Sequence, residues 1–106
     1  QDRWVHGDLL PGNLVLRDGR LVGIVDWASA GIGDPAAEAM VAWSWSPSAR
    51  AAYRELLGLD DATWARAQGW VVEQAVAFIP YYERTRPGAV AAARARLDAV
   101  LRATDA

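Results

Sequence analysis

The chain has 106 residues, 53% hydrophobic and 23% charged, with a formal net charge of −2. Such a length buries one modest core, and the interspersed Arg and acidic residues leave no electrostatic footprint for nucleic acid. There is no cysteine, which excludes disulfides and thiolate metal sites and suits a cytoplasmic protein, and Glu73, Gln74 and Pro80 break the most apolar stretch, so no membrane span is expected.

In chain order, Trp4-Val5 forms a short strand that ends at His6. Pro11-Gly12 turns the chain, and Leu14-Val15-Leu16 and Leu21-Val22-Gly23-Ile24-Val25 follow as two short strands. Asp18-Gly19 between them is the strongest short-range hairpin signal. Beyond the hairpin the pattern turns helical. Asp34-Pro35 is a good helix start, because Asp caps free N–H groups and Pro suits the first position, and this helix should run over 35–45. Ser46-Pro47 repeats the signal for a second helix ending near Gly58. Asp60 or Asp61 opens a third, long helix through Trp64, Trp70, Val71, Ala75 and Phe78, which Pro80 should kink or end. Arg86-Pro87-Gly88 punctuates again before a last, Ala/Arg-rich helix carrying Val90, Leu97, Val100 and Leu101. The expected class is α+β and predominantly helical, a small β-hairpin followed by about four helices.

A hairpin centred on residues 18–19 returns the chain so that Asn13 and Asp26 finish at one open end, with Asp8 one loop away. Two carboxylates and an amide oxygen there suit a hard cation such as Mg²⁺, which prefers oxygen ligands. Of the six tryptophans, Trp43 and Trp45 diverge on one helix, while Trp64 and Trp70 lie among core-like positions; packing explains the set better than ligand stacking. Glu73, Glu83 and Asp98 could attract a cationic acceptor, although isolated acids on helix faces usually only solvate a surface.

His6-Gly7-Asp8-Leu9-Leu10-Pro11-Gly12-Asn13, followed by Ile24-Val25-Asp26-Trp27, resembles the catalytic loop and metal-binding strand of the aminoglycoside phosphotransferase family. The family is kinase-like, and its relatives act on choline, homoserine and macrolides. The order parallels protein kinases, where an H-R-D-x-x-x-x-N loop supplies a base Asp and a metal-binding Asn before an Asp-Phe-Gly metal ligand. Gly33-Asp34-Pro35 also matches, so the motif likeness is specific over 4–38 and general in character over 39–106. The resemblance implies the C-terminal lobe of a protein-kinase-like fold that transfers the γ-phosphate of ATP, or another nucleoside triphosphate, to a small-molecule hydroxyl. Asp8 would be the catalytic base, Asn13 and Asp26 the Mg²⁺ ligands, and His6 a structural support of the loop. No nucleotide-binding residue is assigned.

Three departures bear on that expectation. Leu10 stands where the family usually has a polar residue, and Glu38 where an Asp commonly follows Gly-Asp-Pro. The third is larger: no nucleotide-binding lobe precedes residue 1, and all 11 basic residues are Arg. The chain is therefore read as one partial domain, with a catalytic loop and metal-binding hairpin in 1–34 and a helical subdomain in 35–106, inactive alone. Two readings stay open: the catalytic part of a small-molecule kinase, or a non-catalytic remnant whose lobe-facing surface is covered by self-association as a homo-oligomer. A metal-dependent hydrolase using Asp8 is a weaker third, lacking a second metal cluster or a nucleophile motif.

Overall fold

A computed structural model describes residues 1–104. Helices make up 62% of the described residues, which also form two small antiparallel sheets. The α+β, predominantly helical expectation holds.

Strand β1 (Arg3–Val5) leads into the loop that carries Asp8, and a short 3₁₀ turn at Pro11–Asn13 delivers the chain to β2 (Leu14–Arg17). Asp18 and Gly19 both take positive φ, 51° and 77°. That is the left-handed pair needed by a two-residue turn matching strand twist. The chain returns as β3 (Arg20–Ile24), with Arg17 opposite Arg20 and Leu14 opposite Ile24. Val22 is left over between the Leu16–Leu21 and Val15–Gly23 pairs. This bulge bends β3 and ends it one residue short of the sequence expectation.

A fourth strand, β4 (Gly31–Gly33), was not expected. It pairs with β1 in the register Trp4–Ile32. Two glycines give it little strand propensity, so the pairing is a tertiary choice. Its antiparallel register lays residues 6–7 beside residues 29–30, closing the loop-and-hairpin unit at its base.

The segment Pro35–Ser44 is helical as expected, but it is a 3₁₀ helix ten residues long. Runs beyond three or four residues are uncommon. Here the three-residue period aligns Ala36, Ala39 and Ala42 on one edge and Met40 and Trp43 on the next, all buried. The alanine edge allows close backbone approach to neighbours. Helices α1 (Pro47–Leu57), α2 (Asp61–Tyr82) and α3 (Pro87–Thr104) complete the fold. Their boundaries follow the caps: Ser46 accepts from the Ala49 N–H, Gly58 closes α1 at φ 62°, and Asp60 accepts from the Thr63 N–H. Pro80 ends α2 within two residues. The core gathers Met40, Trp43, Val71 and Val100, with Leu10, Trp64 and Ala99 packed around them. Leu10, which replaces the family's polar residue, is thus an apolar contact with the helical core.

The packing explanation holds for only part of the tryptophan set. Trp43 is 3% exposed and packs 5.4 Å from Trp64, whereas Trp4 is 78% exposed and Trp27 is also open. Leu101, one of the apolar residues of α3, is exposed as well.

Asp34 fastens the 3₁₀ helix to α2. Its carboxylate accepts from the Ala36 N–H at 3.0 Å, from Trp70 Nε1 at 3.0 Å and from Arg66 Nε at 3.1 Å. Burial opposes its ionisation, but the donors from Trp70, Ala36 and Arg66 outweigh that and bring its pKa to about 2 from 3.8. A depressed acid stabilises the fold above its unfolded pKa and loses that contribution as pH falls through the folded one. Asp34→Asn should therefore destabilise the protein at neutral pH by about 1–2 kcal/mol, counting the weakened cap. Urea midpoints measured down through pH 3.8 toward 2 should converge for the two proteins; an unchanging gap would contradict the assignment.

Candidate active site

Residues 6–8 form a left-handed corner that only glycine can occupy at its centre. Gly7 has φ 90°, and a Cβ there would lie 2.9 Å from both the carbonyl carbon and the Cβ of Ser29, with the Ser29 carbonyl oxygen closer still. This is why the residue between His6 and Asp8 lacks a side chain, where protein kinases carry an Arg.

His6 holds the corner from inside. It is 3% exposed; Nδ1 accepts from the Asp8 N–H at 3.1 Å and Nε2 donates to the Val25 carbonyl at 2.8 Å. Since Nδ1 is an acceptor, the proton sits on Nε2, which fixes the neutral tautomer. One ring thus ties the catalytic loop to the strand end that carries Asp26. Trp27 packs on it with centroids 4.5 Å apart, and Trp27 Nε1 donates to the Ile24 carbonyl at 2.8 Å. The His6 N–H donates to the Glu38 carboxylate, so Glu38 binds the loop to the 3₁₀ helix. The structural reading of His6 is the one the geometry supports. His6→Ala should cost about 2–3 kcal/mol in urea unfolding, because a buried ring is removed and two part-buried backbone groups lose their partners; a loss below about 1 kcal/mol would contradict it.

Asn13 is the next link. Its Nδ2 donates to the Asp8 carbonyl at 2.8 Å and to Asp8 Oδ2 at 3.2 Å. With the amide nitrogen committed, Oδ1 is the atom left to face a cation. The Asn13 carbonyl accepts from the Val25 N–H at 2.9 Å, placing Asp26 directly after the last hairpin bond. Asp26 takes φ 63°, a left-handed conformation uncommon for a residue with a side chain. Among the described residues its carboxylate makes no hydrogen bond or ion pair. Strained backbone under an uncommitted acid is typical of functional positions.

Asp8, Asn13 and Asp26 line one cleft of about 720 Å³. The sequence expectation that the three converge is therefore met in space. Among the described residues no group of three or more His, Cys, Asp or Glu forms a metal cage. Two oxygen donors beside Asp8 instead fit Mg²⁺, which keeps waters and substrate phosphate oxygens in its shell.

The opposite wall of the cleft escaped the sequence reading. It carries Ser44, Gln74, Phe78, Arg86 and Arg96. Arg96 is only 5% exposed; it donates to Ser44 Oγ at 3.4 Å and Gln74 Oε1 at 3.3 Å, and its buried Nε has no partner among the described residues. Burial lowers its pKa and the charge of Asp8 raises it. The sequence does hold a signal. Val90, Ala93, Arg96 and Val100 fall on one helical stripe, and a charge on an apolar stripe marks a buried cation. Glu73, Glu83 and Asp98 are exposed and outside this cleft.

Over residues 1–70 the chain matches the family described as Phosphotransferase enzyme family. No curated protein and no solved structure matches it.

Proposed function

The chain belongs to the phosphotransferase enzyme family, and from that premise we propose that its cleft is the phosphoryl-transfer centre of an ATP- and Mg²⁺-dependent kinase acting on a small-molecule hydroxyl. In this reading the chain is the C-terminal lobe of a protein-kinase-like fold. The observation that carries it is the hydrogen-bonded Asp8–Asn13 pair beside a free, left-handed Asp26 on the wall of one cleft.

Asp8 is the base. Its backbone is held at both ends, N–H to His6 and C=O to Asn13, so the carboxylate is aimed without having to hold the loop itself. Accepting a hydrogen bond from the acceptor hydroxyl, it orients that oxygen toward the γ-phosphorus. As the new O–P bond forms and the bond to the leaving ADP breaks, the hydroxyl proton passes to the carboxylate. Asn13 Oδ1 and Asp26 would hold the cation, whose charge offsets that of the phosphate oxygens. The Asn13 amide also fixes Asp8 Oδ2, leaving the other carboxylate oxygen for the acceptor.

With no lysine and no Gly-rich phosphate loop in the sequence, the groups that cradle the nucleotide come from elsewhere. The hairpin's exposed Leu16, Leu21 and Val22 offer a surface for them to pack on. The 106 residues alone should transfer nothing.

Phosphorus NMR of protein that includes the nucleotide-cradling part, incubated with ATP, Mg²⁺ and a panel of alcohols, tests the proposal. A phosphate monoester should form with at least one alcohol and vanish without Mg²⁺. Release of inorganic phosphate alone, or no reaction with any alcohol, would overturn it.

A further inference from the structure

The charges facing the cleft are divided between its ends. Asp8 and Asp26 stand at the loop-and-hairpin end, while Arg86 and Arg96 stand on the helical wall. Arg96 makes no ion pair among the described residues. Taking a guanidinium out of water costs several kcal/mol unless it is paired; its hydrogen-bond partners here are a neutral hydroxyl and a neutral amide at 3.3–3.4 Å, and the charge of Asp8 acts on it without an ion pair. A scaffold needing only packing would be served better by an apolar side chain on that stripe. Arg86 is restrained in its turn, its guanidinium 5.2 Å from the Tyr82 ring centroid and 5.8 Å from that of Phe78.

Between the two arginines the wall of α3 is made of Ala89, Ala92 and Ala95. Their methyl groups leave the space open, so a bound molecule can reach from Asp8 to both guanidinium groups. A cationic acceptor would meet two arginines at the helical wall, while Glu73, Glu83 and Asp98 lie outside the cleft.

We infer that the acceptor is a hydroxy acid, whose hydroxyl sits at Asp8 while Arg96 and Arg86 take its carboxylate. This rests on the phosphoryl-transfer reading for the role of Asp8. Guanidinium and carboxylate match as planar, charge-assisted partners, and a bidentate pair fixes orientation as well as affinity. Arg96, anchored by Ser44 and Gln74, sets the position of the carboxylate; Arg86, resting against Tyr82 and Phe78, completes the contact.

Three probes with the same six-carbon polyol chain separate the possibilities: gluconate is anionic, sorbitol neutral and glucamine cationic. Calorimetric titration of the 106-residue protein at low salt should show gluconate binding about tenfold or more tighter than sorbitol, a gain typical of a charge-assisted pair. Glucamine should bind no better than sorbitol. Arg86→Gln, at an exposed position, and Arg96→Lys, which keeps the charge but not the fork, should each remove most of the preference. Circular dichroism establishes that both variants are folded, and Arg86→Gln keeps the test decisive if Arg96→Lys unfolds. Sorbitol or glucamine binding as tightly as gluconate would overturn the inference, as would a gluconate preference that survives Arg86→Gln.

The two proposals fail separately. Ester formation on sorbitol or glucamine in preference to gluconate would leave the transferase standing without the hydroxy-acid specificity. Arginine-dependent gluconate binding, in a protein that phosphorylates no alcohol, would leave the anion site standing without the transferase.

Discussion

Asp8→Ala should lower the kcat of the proposed phosphoryl transfer by about 10²–10⁴-fold, the range that a positioned general base supplies, with little change in stability. The stability half follows from how the loop is held. Its fixed contacts are the Asp8 N–H to His6 Nδ1 and the Asp8 carbonyl to Asn13 Nδ2, both backbone groups that alanine keeps. The 3.2 Å contact to Oδ2 is lost, together with the charge that Asp8 sets against Arg96 without an ion pair. The kinetic half follows from the cleft, where, among the described residues, Asp8 alone gives the Asn13 amide a carboxylate hydrogen-bond partner. Steady-state kinetics and thermal unfolding of protein carrying the nucleotide-cradling part check both halves. A variant that keeps most of its kcat would remove Asp8 from the role of base.

Gly7→Ala destabilises the fold by about 3 kcal/mol, the scale of an incompatible left-handed backbone compounded by a backbone clash. Gly58 provides the control. It too has positive φ, 62°, but a Cβ there meets nothing within 4 Å. Gly58→Ala should therefore cost only about 1 kcal/mol, the conformational part alone. The difference between the two variants measures the press of Ser29 against the catalytic loop. Because that loop carries Asp8, Gly7→Ala should also lose transferase activity, whereas Gly58→Ala should not. Urea unfolding of the pair checks the stabilities. Equal losses would show that the 6–8 corner relaxes freely, and the loop would then lack the rigidity assigned to it.

The elements legible in the sequence are those fixed by local chemistry. Asp18-Gly19 specified a left-handed turn whatever surrounds it, and Ser46, Gly58 and Asp60 marked helix ends through their own hydrogen bonds and backbone. The convergence of Asn13 and Asp26 followed from the hairpin, and the proximity of Asp8 from the short loop. What escaped was decided by distant neighbours. Gly31–Gly33 becomes a strand only because β1 lies beside it. The 3₁₀ form of Pro35–Ser44 depends on burial of two edges at once, which residue preferences do not encode. Arg96 looked like one more basic residue in an Ala/Arg-rich helix until its place on the buried stripe was set against the cleft. The helical wall of the cleft was hidden for this reason: the loop motif covers Asp8 and its neighbours, while that wall is assembled from side chains spread over 44–96.

The most direct test of the central claim, that Asp8, Asn13 and Asp26 form one phosphoryl-transfer centre, is amide-resolved NMR of the 106-residue protein titrated with Mn²⁺·ATP. Paramagnetic broadening should appear first at Gly12, Asn13, Asp26 and Trp27, then at Asp8, and Asp26→Ala should abolish it while leaving the remaining spectrum in place. Broadening centred instead on the exposed acids of α2 and α3, or unchanged in Asp26→Ala, would contradict the account.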